Sequence, residues 1–262
     1  MITVPLHRHE VELQSKRFEL SAYYGIAEDW RARLRLPYDI KRQRSRVEFV
    51  DSATPQEQEA ALRNMELHHR NATYNGFSDA TLLVERRWAG VFGDASAFTL
   101  AAGSTIPIGK IERDPYEAGT EGRRHQHIQF GNGTFDPTLE AGVYFPLTDT
   151  LSGRAFTVGR FPIYENRHRF RGAIESTTIA GVSWQSPLPV SFRAGYGLFY
   201  QGFAHWDGDR DENSGIVAQF VLLGASTSLD SLVFSVDVSI PVHERLLGGG
   251  DAFDQAIAVT GS

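Results

Sequence analysis

Ser231-Leu232-Val233-Phe234-Ser235-Val236-Asp237-Val238-Ser239-Ile240 decides how this chain folds. Its even positions are all apolar, and its odd positions are Ser231, Val233, Ser235, Asp237 and Ser239, with Val233 the single exception. Side chains of a β-strand point alternately to its two faces, so the segment has one apolar and one polar face. The same period governs Trp30 to Tyr38, where Trp30, Ala32, Leu34, Leu36 and Tyr38 alternate with Arg31, Arg33, Arg35 and Pro37. Phe170 to Gln185 sets Phe170, Ile174, Ala180, Val182 and Trp184 against Arg169, Arg171, Glu175, Thr177 and Gln185. Val190 to Gln201 does the same, with Ser191, Arg193 and Gln201 on the polar side. Helical spacing fits none of these windows.

The composition agrees with a folded, β-rich chain: 262 residues, 41% hydrophobic, 11% aromatic, 25 Gly. The absence of Cys excludes disulfide scaffolds, thiolate metal sites and Cys nucleophiles. A net charge of -6 weighs against nucleic acid as a partner. No apolar run approaches the roughly 18 residues of a membrane-spanning helix, the longest lying around Val217 to Ala225. That test is blind to membrane β-barrels, whose strands of about 9 to 11 residues alternate in polarity. The opening MITVPLHRHEVELQ has no charged region followed by an apolar one, so no signal peptide is expected within it.

About eleven strands are expected: 10 to 25, 30 to 44, 79 to 90, 95 to 109, 126 to 146 broken at Gly131 to Gly133, 153 to 163, 169 to 186, 190 to 205, 214 to 226, 231 to 241 and 253 to 262. Their connections alternate between tight turns (Ile26 to Asp29, Val91 to Asp94, Leu147 to Ser152, Pro187 to Pro189, Thr227 to Asp230) and longer loops (Ser45 to Ser78, Lys110 to His125, Tyr164 to His168, Trp206 to Asn213, Val242 to Ala252). An up-and-down meander places alternate connections at opposite ends, the arrangement of outer-membrane barrels. Aromatics near strand ends (Tyr23, Tyr24, Trp30, Tyr38, Trp88, Phe92, Trp184, Phe203, Trp206) suit interfacial girdles. One helix is expected in the Ser45 to Ser78 loop, with Thr54 as N-cap, Pro55 first and Glu57 completing a capping box ahead of Gln56 to His69. The fold class is therefore all-β, an up-and-down antiparallel transmembrane barrel of about twelve strands with eleven visible, residues 1–262 forming one domain. An even strand count is the rule for such barrels, so a signal peptide and first strand are expected upstream of residue 10. The end at Gly261-Ser262, without a terminal aromatic, points to trimming there too. A soluble antiparallel sheet shares the alternation and is the alternative fold.

Several stretches resemble one group of bacterial outer-membrane proteins: Tyr24-Gly25-Ile26 before Trp30, Leu36-Pro37-Tyr38, Gly76-Phe77-Ser78-Asp79, Gly103 to Pro107-Ile108-Gly109-Lys110, and Gln129 to Asp136. The group is assigned to a MetA pathway of phenol degradation and labelled "transporter". The resemblance runs from about residue 18 to the end. Ser78 stands where a second Gly is common, and Ile108 where Thr is common. The resemblance implies a Gram-negative outer membrane, lipid as a partner, and passage of small, hydrophobic or aromatic solutes.

With the apolar face towards lipid, the polar face lines a lumen: Arg31, Arg33, Arg35, Glu85, Arg87, Asp136, Glu140, Arg169, Arg171, Glu175, Arg193 and Asp237. The arginine ladder at 31, 33 and 35 suits anionic solutes as charged rings do in pores, unless the charges pair into a structural network. His68-His69 and His125-x-His127 are close pairs, but no third metal ligand is fixed by spacing, and no metal or cofactor is expected. Asp207 to Asn213 lacks the twelfth-position Glu of a calcium loop, that place being Ala218. Gly103 to Lys110 lacks the Ser/Thr and helix of a phosphate loop. Ser191, His205 and Asp207 are the nearest approach to a hydrolase triad, with no nucleophile turn around Ser191. A passive channel is the first reading and no enzymatic activity is expected; a lipid-modifying barrel and a soluble all-β binding protein are the alternatives. A folded barrel is expected to migrate faster unheated than boiled in detergent gel electrophoresis, whereas a soluble sandwich is expected to need no detergent.

Overall fold

Alternation of apolar and polar residues turns into one long antiparallel meander in the computed structural model, which describes residues 7–126, 128–230, 232–248 and 258–261. Strands β1 (His7–Ala27) and β2 (Trp30–Phe49) precede helix α1 (Pro55–His68). Next come β3 (Ala72–Phe77), β4 (Ala80–Ala89), β5 (Ala97–Ile106), helix α2 (Pro115–Thr120), β6 (Pro137–Pro146) and β7 (Leu151–Arg160). Then follow β8 (Phe170–Arg171), β9 (Glu175–Gln185), β10 (Val190–Gln201), β11 (His205–Trp206), β12 (Asp209–Arg210), β13 (Ile216–Leu229), β14 (Leu232–Leu246) and β15 (Ala258–Gly261). The main sheet runs β1-β2-β4-β5-β6-β7-β9-β10-β13-β14-β15, with β3 also on β2, and β12-β11-β8 form a separate small sheet. Among the described residues, β1 and β15 are not paired with each other.

The expected sorting of connections holds. One end carries the tight turns after β1, β4, β6, β9 and β13, and the other carries the stretches holding α1, α2, β8 and the β11–β12 hairpin. Across the stretch level with Trp30 to Tyr38 the sheet is two-faced. In β2 the odd positions sink inward, from Arg33 at 12% side-chain exposure to Asp39 at 0%, while Trp30 and Leu34 stay exposed. Trp30 to Tyr38 rises about 20 Å along the barrel axis if the strand tilts by about 40°, close to the height of an apolar membrane band. Aromatics border that band on the outer face. Trp30, Trp88 with Phe98 (5.5 Å between ring centroids) and Trp184 stacked on Phe192 (5.9 Å) lie at the turn end. Tyr38 meets Phe77 edge-on at 5.2 Å towards the loop end.

Four expectations need correction. Residues 126 and 128–136 are not strand; the described chain turns inward there and β6 starts at Pro137. The segment 169–186 is not continuous, since β8 leaves the main sheet and pairs with β11. Trp206 is no girdle residue but is buried against Phe170, 4.6 Å between rings, and Tyr23 faces inward beneath the Arg31 guanidinium. Finally, β2 does not stop at residue 44 but runs to Phe49, with β3 returning along it inside the expected loop. There, His7–Lys16 and Lys41–Phe49 are mostly charged or polar, with Val11, Leu13, Val47 and Phe49 their apolar positions beside Ile40, so the apolar alternation is weak. The C-terminal strand expected over 253 to 262 lies mostly outside the described residues; β15 covers Ala258–Gly261 on β14.

Helix α1 starts as its sequence requires. Thr54 accepts from the Glu57 amide, the Glu57 carboxylate accepts from the Thr54 amide at 2.8 Å, and Pro55 occupies the first turn. Ala61 and Met65, one turn apart, are its buried face. With the outer face in lipid, Leu223→Arg is expected to cost about 2–4 kcal/mol, as a guanidinium in the apolar band does. Ser239→Arg, on the inner face, is expected to cost less than about 1 kcal/mol. Urea unfolding of the vesicle-refolded protein, followed by Trp fluorescence, measures both.

Candidate functional site: a chamber under an inturned loop

The inner face is built from rows that the strand register fixes. Glu140 on β6 reaches back across the sheet to Arg33 and Arg35 on β2, and both guanidinia bond its two oxygens. Glu85 on β4 takes Arg31 at 2.6 Å and Arg33 at 3.7 Å. Glu85 and Glu140 are nearly inaccessible, so each buried carboxylate is held by two cations. Further round, Arg160 pairs with Glu175 at 2.6 Å, with Gln201 donating to the other oxygen at 2.7 Å. Arg193 pairs with Asp237 at 2.9 Å and donates to Ser226 at 3.0 Å. Arg17 grips the fully buried Asp39 through two bonds of 2.8 and 2.9 Å, and Ser78 donates to the same carboxylate.

These contacts show where the expected lumen residues lie. Arg33, Arg35, Glu85 and Glu140 come together in one network, with Arg31 at its turn-end margin; Glu175, Arg193 and Asp237 form separate inner pairs. Asp136 is fully buried in the inturned segment described below. Arg87 is exposed at the turn-end mouth. Arg169 and Arg171 do not line the wall: Arg169 is bound to Asp207 in the loops and Arg171 lies on the small sheet, because β8 departs from the meander. Sequence reasoning missed Arg17, Asp39 and Arg160, although all three fall on the inward parity of their strands.

The opposite part of the wall is apolar. One row reads Gly142, Phe156, Ile179, Gly197 and Phe220 on adjacent strands, and the next includes Val158, Thr177, Phe199 and Ala218. Gly197 is required there, because the Phe220 ring occupies the space its Cβ would take. A cavity of about 530 Å³ opens between the two walls, bounded by Arg17, Arg35, Lys41, Arg160, Glu175 and Phe199.

Its cover is formed by residues 107–126 and 128–136 of the β5–β6 connection, and Asp79 draws both ends of that connection together. The buried Asp79 carboxylate accepts from the Gly109 amide at 2.9 Å and the Asn132 amide at 2.7 Å. A Cβ on Gly131 would collide with that carboxylate, so the close approach needs glycine. Lys41 donates to the Gln129 carbonyl at 2.7 Å, and Asn132 donates to Asp136 at 2.7 Å. The segment also ties into every neighbouring loop. Arg70, just past α1, holds the His125 carbonyl at 2.9 Å, Asn166 holds the Asn132 carbonyl at 2.7 Å, and the Tyr164 hydroxyl accepts from the Phe135 amide at 2.8 Å. On α2, Tyr116 donates to Asp211 at 2.7 Å and accepts from Asn213 at 3.0 Å, reaching the β10–β13 connection. Burial, and then the Asp211 carboxylate, push the Tyr116 phenol up to about 12, so it remains a donor at ordinary pH.

The other candidate constellations do not assemble. Ser191 lies at the turn end bonded to Gln185, whereas His205 and Asp207 lie at the loop end. His125 is buried with Nδ1 3.0 Å from the Arg123 carbonyl; His127 lies outside the described residues. Among the described residues, no three His, Asp or Glu side chains gather as metal ligands.

The sequence matches none of the known protein-family models and none of the curated proteins. Among solved structures, its fold is similar to an outer membrane channel from Pseudomonas putida F1, with TM-score 0.58 and 11% identity over 89% of this chain and 78% of that one. Asp79→Ala removes the acceptor of two backbone amides and is expected to loosen the inturned segment by roughly 2–4 kcal/mol. Planar-bilayer recording is expected to show a larger, noisier conductance with heat-modifiable folding retained; an unchanged conductance would contradict the latch.

Proposed function

We propose that this chain is an outer-membrane β-barrel channel that passes small solutes across a Gram-negative outer membrane. The observation that carries the reading is the contrast between the two faces of one sheet. The outer face is apolar and banded by aromatics, while the inner face holds paired charges around a chamber of about 530 Å³. A soluble protein has no use for an outer surface on which Leu20, Tyr24, Leu198 and Val236 lie open, whereas lipid accounts for it. The similarity to an outer membrane channel supports the same reading at the level of fold.

The wall chemistry favours solutes with apolar surface over simple ions. The three inner arginines near Glu85 and Glu140 share two buried carboxylates, so most of the charge of the arginine ladder is engaged in a structural network. Phe156, Ile179, Phe199 and Phe220 offer an apolar track past it. The resemblance to the phenol-degradation group, carried by sequence motifs, points to hydrophobic or aromatic solutes as well. A lipid-modifying enzyme finds less support, because Ser191 and His205 sit at opposite ends of β10. Proteoliposomes are expected to swell faster than protein-free liposomes in isosmotic solutions of small uncharged solutes. Folded, inserted protein that gives no added uptake would contradict the channel.

A further inference from the structure

One residue breaks the rule of the outer face. Within the band between the levels of Trp30 and Tyr38, the outward positions of β4 are Leu82, Val84, Arg86 and Trp88, and those of β5 are Phe98, Leu100, Ala102 and Ser104. The outward positions of the remaining main strands in that band are apolar or uncharged polar, so Arg86 is the one charged side chain there among the described residues. An arginine facing hydrocarbon is costly at mid-depth and tolerated near an interface, and Arg86 lies at the turn-end level, directly across from Trp30.

Its surroundings are built and incomplete. The guanidinium carbon lies 5.4 Å from the Trp30 ring centroid and 4.9 Å from that of Trp88, so two indoles hold it. The carboxylate next to it in sequence, Glu85, points to the other face and is occupied by Arg31 and Arg33. Nε of Arg86 is buried and has no hydrogen-bond partner. A guanidinium that is oriented by rings, unpaired by protein and set at the edge of an apolar band lacks an anion with several acceptor oxygens. In barrels of this kind the tight turns face the periplasm, so the adjoining leaflet consists of phospholipid.

We propose that Trp30, Arg86 and Trp88 form a binding site for the phosphate of a phospholipid headgroup in the leaflet at the turn end. The guanidinium donates to the phosphate oxygens while the indoles pack on the glycerol and upper acyl region. This rests on the membrane reading above, and the site would fix the depth of β2 and β4 in the bilayer.

The test uses the full chain refolded in non-ionic detergent with Trp184→Phe and Trp206→Phe, so that fluorescence reports on Trp30 and Trp88. It is titrated with brominated-chain phosphatidylglycerol and with brominated-chain diacylglycerol, which lacks the phosphate. Half-quenching is expected at a roughly tenfold lower mole fraction for the phospholipid, as a charge-assisted bond of about 1.4 kcal/mol would give. Arg86→Gln is expected to abolish the preference and Arg86→Lys to keep part of it, with heat-modifiable migration confirming that each variant is folded. Equal quenching by the two lipids, or a preference that survives Arg86→Gln, would overturn the site. Quenching by neither lipid would overturn the membrane reading, and the site with it.

Discussion

Glu140 and Glu85 are the constraint on which the rest of the wall depends. A sheet with a largely apolar outer face must put most of its fixed charges inside, and charges out of water are tolerated only when paired. Each of these carboxylates is shared by two arginines, and the Arg33–Glu140 bond crosses from β2 to β6, two strands beyond its neighbour β4. Such contacts exist only if the sheet curls, so the ion pairs and the curvature require one another. Removing Glu140 would leave Arg35 without a carboxylate and Arg33 with only its 3.7 Å contact to Glu85, a larger penalty than a surface ion pair carries.

Above that network the barrel is narrowed by its own loop. Asp79 sits one residue before β4 and gathers Gly109 and Asn132, which are separated in sequence by the whole β5–β6 connection. The chamber therefore lies between a charged wall, an apolar wall and a cover held by hydrogen bonds to several neighbouring segments. The cover spreads its attachments over α1, the β7–β9 connection and the β10–β13 connection, so movement there must be concerted. In the channel proposed above, passage of a solute would depend on the cover more than on the wall.

Much of this was legible in the sequence, for a physical reason. Period-two alternation reports directly on which face of a strand meets which medium, so β2, β9, β10 and β14 could be placed and their inward residues named. The capping box of α1 was readable because it is made of adjacent residues. Long-range partners were not readable. Nothing local in Gly76 to Asp79, Pro107 to Lys110 and Gln129 to Asp136 says that they converge, although each stood out as a motif. The extensions of β1 to His7 and of β2 to Phe49 were missed because these mostly charged stretches carry too few apolar residues to set a clear period. Arg169 and Arg171 were misplaced because alternation persists across Gly172 to Ile174 even though the backbone there leaves the main sheet.

The central claim is that alternate residues of each strand meet lipid and a water-filled interior. The chain contains no Cys, so single cysteines can be introduced without a background. Spin labels placed one at a time from Phe234 to Ile240 in the reconstituted protein would read both media through relaxation by oxygen and by a water-soluble nickel complex. The account predicts period-two behaviour: Phe234, Val236, Val238 and Ile240 respond to oxygen, and Ser235, Asp237 and Ser239 to nickel. Accessibility to the nickel complex on both faces, or no alternation at all, would contradict it.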